Sequence, residues 1–218
     1  MGSRSSRRGV LVGVDGTPPG WTALDWAIRE AGAHDEHLLI CHCRSHHALT
    51  GARAIPQQSR QRVPSIAGAR ATKVAAPTWG AEMPRIGRAE AIVEEACRRA
   101  SSLGPDISVR AEVSDGQPAD VLEVLGATTR LTVLGGRRLS ALAELLIGST
   151  ALHLVTRGSA PVAIVHQGAT GIATGPFAGH VVVGVDGSAA SRAALEFAAH
   201  EAIRHRTGLA VVHVSDET

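Results

Sequence analysis

The feature that most constrains this chain is an internal repeat. "VLVGVDGTPPGWTALDWAIREA" at residues 10–31 matches "VVVGVDGSAASRAALEFAAHEA" at 181–202 without a gap, at a constant offset of 171 residues. The match carries on from "LLICHC" (38–43) to "LAVVHV" (209–214). Val14, Asp15 and Gly16 recur as Val185, Asp186 and Gly187, Leu24 as Leu195, Trp26 as Phe197, Glu30 as Glu201 and His42 as His213. Register held over that length marks a duplicated supersecondary unit, not shared composition. In the first copy a β-rich run ends in Gly-Val-Asp-Gly. A segment with Leu24, Ala27, Ile28 and Ala31 on one helical face follows, and an apolar strand closes the unit. That is a strand-helix-strand unit with parallel strands.

The first copy continues into a full domain. "IGRAEAIVEEACRRASSLG" places Ala89, Ile92, Val93, Ala96 and Ala100 on one helical face. "DISVRAEV" alternates like a strand, "QPADVLEVLGATT" reads as a helix with proline near its start, and "RLTVLGG" as a fourth strand. "STALHLVTRG" is a helix and "APVAIVH" (160–166) a fifth strand. Five strands with helices between them define an α/β fold with a doubly wound parallel sheet. Residues 44–85 show no sustained period and form a long connection, either a lid or an insertion with local turns. The domain is placed at 9–166, a Gly/Thr/Ala linker at 167–179, and a truncated second repeat at 180–218. A strand-helix-strand fragment of that size is marginal alone, and its open edges need a partner.

Composition narrows the function. Of 218 residues 44% are apolar but only 2% aromatic, so the core is built from Ala, Val, Leu and Ile, which suits a parallel sheet under small-residue helices. A net charge of +2 does not point to a nucleic-acid partner. Three cysteines do not make a secreted disulfide scaffold, and no long apolar run or signal-like start is present, so a cytoplasmic protein without membrane contact is expected. In a strand Cys41 and Cys43 share one face and His42 takes the other, which argues against a metal cluster with His46 and His47. No nucleophile elbow or catalytic triad stands out.

Ligands of open parallel sheets bind beyond the C-terminal strand ends, where strand order reverses. With the order 3-2-1-4-5, Asp15 at the end of strand one faces a glycine loop at 135–150 that opens after strand four. Asp15 reads either as an acceptor for a ribose hydroxyl or as part of the cap of the next helix. Gly148, Ser149 and Thr150 stand at a helix start whose free N–H groups favour an anion; the same residues also read as an ordinary glycine turn with a Ser/Thr cap. Neither the P-loop pattern nor the dinucleotide fingerprint is present.

These stretches resemble the universal stress protein family in its tandem actinobacterial form. The resemblance rests on "VLVGVDGT", "VVVGVDGS", "DGQPADVL", "LTVLGG" and "LLIGSTALHLVTRGSAPVAIV", and covers nearly all of 9–218. It implies the five-stranded 3-2-1-4-5 sheet and, as in many members, ATP binding through Gly-x-x-Gly-(nine residues)-Gly-Ser/Thr, with or without Mg²⁺. The motif's first glycine falls on Gly135 and its last pair on Gly148-Ser149. Asp15 resembles the adenosine contact, and Cys43 or its neighbour His42 the backbone contact to adenine. The motif's second glycine falls on Arg138, a departure. With Arg137 beside it, Arg138 either pairs with the β- or γ-phosphate or closes the site, and a left-handed backbone there would be strained for arginine. The resemblance also implies a homodimer or higher oligomer through the fifth strand. The implied function is an ATP-binding stress-response regulator acting through nucleotide-dependent shape and a protein partner. A ligand-free interaction protein of the same fold and a weak ATP hydrolase are the alternatives.

Overall fold

The computed structural model describes residues 9–44, 85–139, 144–146, 148–166 and 175–214. Nearly all of the long connection expected at 44–85 lies outside these, as does most of the linker. The chain divides into two compact units, Met1–Ala169 and Thr170–Thr218.

In the first unit β1 (Val10–Gly13) leads into α1 (Pro18–Ala33), and β2 (Leu38–Arg44) closes the first copy of the repeat. Then come α2 (Arg85–Leu103), β3 (Val109–Asp115), α3 (Pro118–Gly126), β4 (Leu131–Leu139), β5 (Glu144–Leu146), α4 (Ser149–Arg157) and β6 (Val162–His166). β1 pairs in parallel with β2 and β4, β2 with β3, and β4 with β6. With the three-residue β5 set aside, the order β3-β2-β1-β4-β6 is the expected 3-2-1-4-5 sheet.

The sequence reading missed β5. It turns back on β4 in antiparallel register, with Arg137 opposite Leu146 and Arg138 opposite Leu145. The expected glycine loop after Gly135 therefore begins as continued strand. The reason is local: the hairpin partner "ELL" satisfies the backbone groups that a loop would leave to solvent or ligand.

Each face of the sheet carries its own core. Leu11, Cys41 and Leu134 pack with Leu122 of α3 and with Ala151 and Leu154 of α4. Val10, Val12, Leu38 and Ile40 are fully buried, as are Ala23, Leu24, Ala27, Ile28 and Ala31 of α1. α2 covers β3 through Ala89, Val93 and Val113. The predicted helical faces are thus the buried ones, with Ile92 of α2 only partly buried.

The second unit holds β7 (His180–Gly184), α5 (Ala189–Arg204) and β8 (Gly208–Val212), with β7 and β8 parallel. Val183, Ala198 and Ala202 are its buried apolar residues. It reproduces the first copy in fine detail. Gly16 and Gly187 take φ of 78° and 83°, and Asp35 and Arg206 φ of 51° and 52°, at the same offset of 171 residues. Gly16 and Gly187 sit where β1 and β7 turn into the following helix, and Asp35 and Arg206 where each helix turns into its next strand, a place that tolerates positive φ.

Candidate functional site

The site is built at the C-terminal edge of the first sheet. β1 and β4 run parallel side by side, so Asp15 and the distal part of β4 share that edge. α4 must run back against the strands to feed β6, so its N-terminus opens at the same edge.

The Asp15 carboxylate is exposed, and its Oδ1 accepts hydrogen bonds from the Thr17 backbone N–H at 2.9 Å and from Thr17 Oγ1 at 2.6 Å. Thr17 in turn caps α1, its hydroxyl oxygen accepting from Gly20 N at 3.4 Å. Pro18 and Pro19 follow in the first turn, where a missing N–H costs nothing. Of the two roles read for Asp15, the capping role is thus present in the fold, and no donor among the described residues meets Oδ2.

Gly135 has a packing task. A Cβ there would lie 2.5 Å from both the carbonyl carbon and oxygen of Pro19, and 2.8 Å from Gly20 N. A Cβ on Gly20 would lie 2.5 Å from Asp15 Oδ1. Two bare glycines therefore let β4, the start of α1 and the Asp15 carboxylate close on one another. Neither glycine needs a left-handed backbone, since the positive-φ glycines lie elsewhere.

Gly148 differs. It is the N-cap of α4, with φ −60° and ψ 157°, it makes no side-chain cap bond, and an added Cβ would meet nothing within 4 Å. Ser149 and Thr150 lie inside the first turn instead of capping it. The α4 start is thus a glycine cap facing open space, with first-turn N–H groups that have no partner among the described residues. Arg138 lies in strand and is absent from the positive-φ residues. The strained left-handed backbone considered for it is therefore corrected: the hairpin holds it extended. The side chains of Arg137 and Arg138 lie outside the described residues.

At the end of β2, Cys43 stands opposite Ser114 of β3, and its Sγ lies 3.8 Å from Cys41 Sγ. His42 points to the other face. Its Nδ1 lies 2.7 Å from the Val14 carbonyl oxygen and must carry the proton, since a carbonyl only accepts. Sequence reasoning did not assign this bond, although the recurrence as His213 was its signal: His213 Nδ1 lies 2.7 Å from Val185 O. The second copy also repeats the turn, Asp186 Oδ1 accepting from Ser188 N at 2.9 Å. The Ser188 side-chain and backbone hydrogen bonds hold the Asp186 carboxyl down at about 2.

A buried charge cluster also escaped the sequence reading. Arg130 Nη2 lies 2.7 Å from Glu30 Oε1 and its Nε 2.9 Å from Glu36 Oε2, with the Glu30 side chain 1% exposed. It ties the end of α1 to the start of β4, at the opposite edge of the sheet from Asp15.

A doubly wound sheet with a glycine-capped helix start at its switch point defines a class of α/β ligand-binding fold. The family model described as the universal stress protein family matches residues 6–166 and 178–218, and the chain belongs to that family. Universal stress protein Rv1996 of Mycobacterium tuberculosis is 30% identical over 232 residues, spanning 98% of this chain and 64% of the relative. Rv2005c of the same organism is 29% identical over 216 residues, spanning 98% of this chain and 66% of the relative. The chain thus spans about two thirds of the length of these relatives. A solved universal stress protein from Archaeoglobus fulgidus shares the fold with a TM-score of 0.68 at 15% identity, over 98% of this chain and 69% of that one. No helix among the described residues is long and apolar enough to cross a membrane.

Proposed function

We propose that this chain is a stress-response regulator that binds an adenine nucleotide, ATP, in the domain at 9–166. The nucleotide lies across the strand ends, with its phosphates on the α4 start and its adenosine beside Asp15 and the β2 end at Cys43. The observation that carries the reading is the α4 cap: Gly148 leaves open space where a side chain would stand, in front of N–H groups that no described residue pairs. Arg137 and Arg138 add positive charge along the same stretch of chain. Bound nucleotide orders this edge, and that order selects a protein partner or a second copy through the edge of β6 that no described strand pairs.

Two observations favour a second reading, a ligand-free interaction protein of the same fold. Asp15 Oδ1 is already engaged by Thr17, and β4 continues through Arg138 where the family motif has its second glycine.

Titration calorimetry with ATP, with and without Mg²⁺, separates the two. The nucleotide reading expects saturable heat that is lost or weakened in Arg138→Gly. A charge-assisted hydrogen bond contributes about 1.5–3 kcal/mol, so its loss raises Kd roughly 10- to 150-fold. Absence of heat and of displacement of a fluorescent ATP analogue at millimolar ligand rejects the reading. Phosphate release under the same conditions would move the protein to the weak-hydrolase class.

A further inference from the structure

We propose that Cys43 and Cys41 form a hydroperoxide-sensitive dithiol, in which Cys43 is oxidised first and Cys41 resolves it to a disulfide within β2. Neither the family nor the nucleotide site requires such chemistry.

The geometry carries the proposal. Both side chains leave β2 on the same face, and their sulfurs are 3.8 Å apart. Cys41 is 1% exposed, whereas Cys43 is half-buried toward the strand end and open to a small oxidant. Opposite them on β3 stand Glu112 and Ser114, and the Ser114 hydroxyl donates to Glu112 Oε1 at 2.9 Å. With Glu112 so engaged, no group of three ligating side chains among the described residues includes the two sulfurs.

The two thiols share a hydrogen bond across 3.8 Å in which either can be the donor. This lowers the Cys43 pKa, while the same bond and burial push the Cys41 thiol well up. Cys43 is thus the thiolate former, and the thiolate is the nucleophile. Burial and Glu94 push Cys97, the third thiol, up as well, so it serves as an internal control.

The reaction balances with a hydroperoxide as the oxidant. The Cys43 thiolate attacks the distal oxygen, the O–O bond breaks, and the departing alkoxide or hydroxide takes up the proton that Cys43 had released. Cys43 is now a sulfenic acid. The Cys41 sulfur attacks it, an S–S bond forms, and hydroxide leaves and becomes water with the Cys41 proton. Two thiols give up two electrons, and the hydroperoxide becomes an alcohol or water plus one further water. Two residues of strand span about 6.4–6.8 Å between Cα atoms, the long end of the range of about 4.4–6.8 Å that a disulfide bridges. The bond is therefore strained and readily reduced, as a reversible modification requires.

The test treats the full chain, without nucleotide, with a few-fold excess of hydrogen peroxide, then denatures, alkylates and analyses it by mass spectrometry. Leaving nucleotide out keeps the result separate from the ATP reading. The expected product carries an unalkylated Cys41–Cys43 peptide two hydrogens lighter than the dithiol form, reversed by dithiothreitol. Cys43 is expected to react about tenfold faster than Cys97. In Cys41→Ser, dimedone should trap a sulfenic acid on Cys43; in Cys43→Ser, Cys41 should stay a thiol at the same dose. Oxidation of Cys97 ahead of the pair, a disulfide between chains, or unchanged oxidation of Cys41 in Cys43→Ser each overturns the proposal. The wild-type measurement decides it even if a variant fails to fold.

Discussion

Gly135→Ala puts the packing role of that glycine to a direct test. The added Cβ would meet the Pro19 carbonyl carbon at 2.5 Å, whereas carbon atoms rest at about 3.5–4.0 Å. α1 or β4 must therefore yield by about 1 Å. The atoms in the way are backbone at the first turn of α1, where two prolines restrict the chain, so no side-chain rotation relieves the contact. Overpacking of this kind costs about 1–3 kcal/mol. With an m-value near 2 kcal/mol/M, the urea midpoint should fall by about 0.5–1.5 M. Tryptophan fluorescence reads the right unit, because all three tryptophans, Trp21, Trp26 and Trp79, precede residue 170. An unchanged midpoint at unchanged slope would refute the argument and return Gly135 to a purely ligand-facing role.

Gly148→Ala is the contrasting variant. With open space and φ of −60° it should cost no more than about 1 kcal/mol in the same urea melt, yet weaken ATP binding at least about tenfold in calorimetry by crowding the phosphates. Arg130→Met leaves Glu30 and Glu36 without their guanidinium partner and should destabilise the first unit by about 3–5 kcal/mol, read by fluorescence-detected unfolding. The Asp186 carboxyl should titrate near 2 in a ¹³C-detected NMR experiment, not near its usual 3.8. Because its folded pKa is depressed, its contribution to the α5 cap is complete above the unfolded value and fades as pH falls toward 2. A midpoint close to 3.8 would mean that the Ser188 hydrogen bonds do not form.

The fold was legible because its signals are periodic. The apolar faces of α1 and α2, the alternation of β3 and the five-strand count need only the sequence, and the repeat supplied its own control. The site was legible in position but not in detail. Gly135 and Gly148 carry the same letter in one motif, yet one makes room for Pro19 and the other faces nothing within 4 Å. That distinction lies in contacts across β4 and α1, far apart in the chain. β5 was hidden because three apolar-rich residues inside a glycine-flanked stretch carry no period. The Arg130 cluster was hidden because its members are 100 and 94 residues apart.

The duplication separates what the Asp-Gly turn does for folding from what it does for a ligand. Asp15 holds Thr17 N, and Asp186 holds Ser188 N, at 2.9 Å each. Both following residues cap a helix, and in both copies a histidine ties down the carbonyl before the aspartate. The second unit has this arrangement without counterparts of β4 and α4 among its described residues, so the turn forms for reasons of its own. Loss of ATP binding in Asp15→Ala would therefore be ambiguous, because the cap goes with the carboxylate; the exposed Thr17 bonds contribute about 1 kcal/mol to the first unit. Asp15→Asn resolves it. The amide oxygen can still accept from Thr17 N, so the urea midpoint should stay within about 0.25 M of wild type for a change under 0.5 kcal/mol. If Oδ2 is the ribose acceptor, it is replaced by an NH₂ group that cannot accept, and Kd should rise about tenfold or more. ATP affinity retained in Asp15→Asn but lost in Asp15→Ala would leave Asp15 as a helix cap and remove it from the ligand contacts.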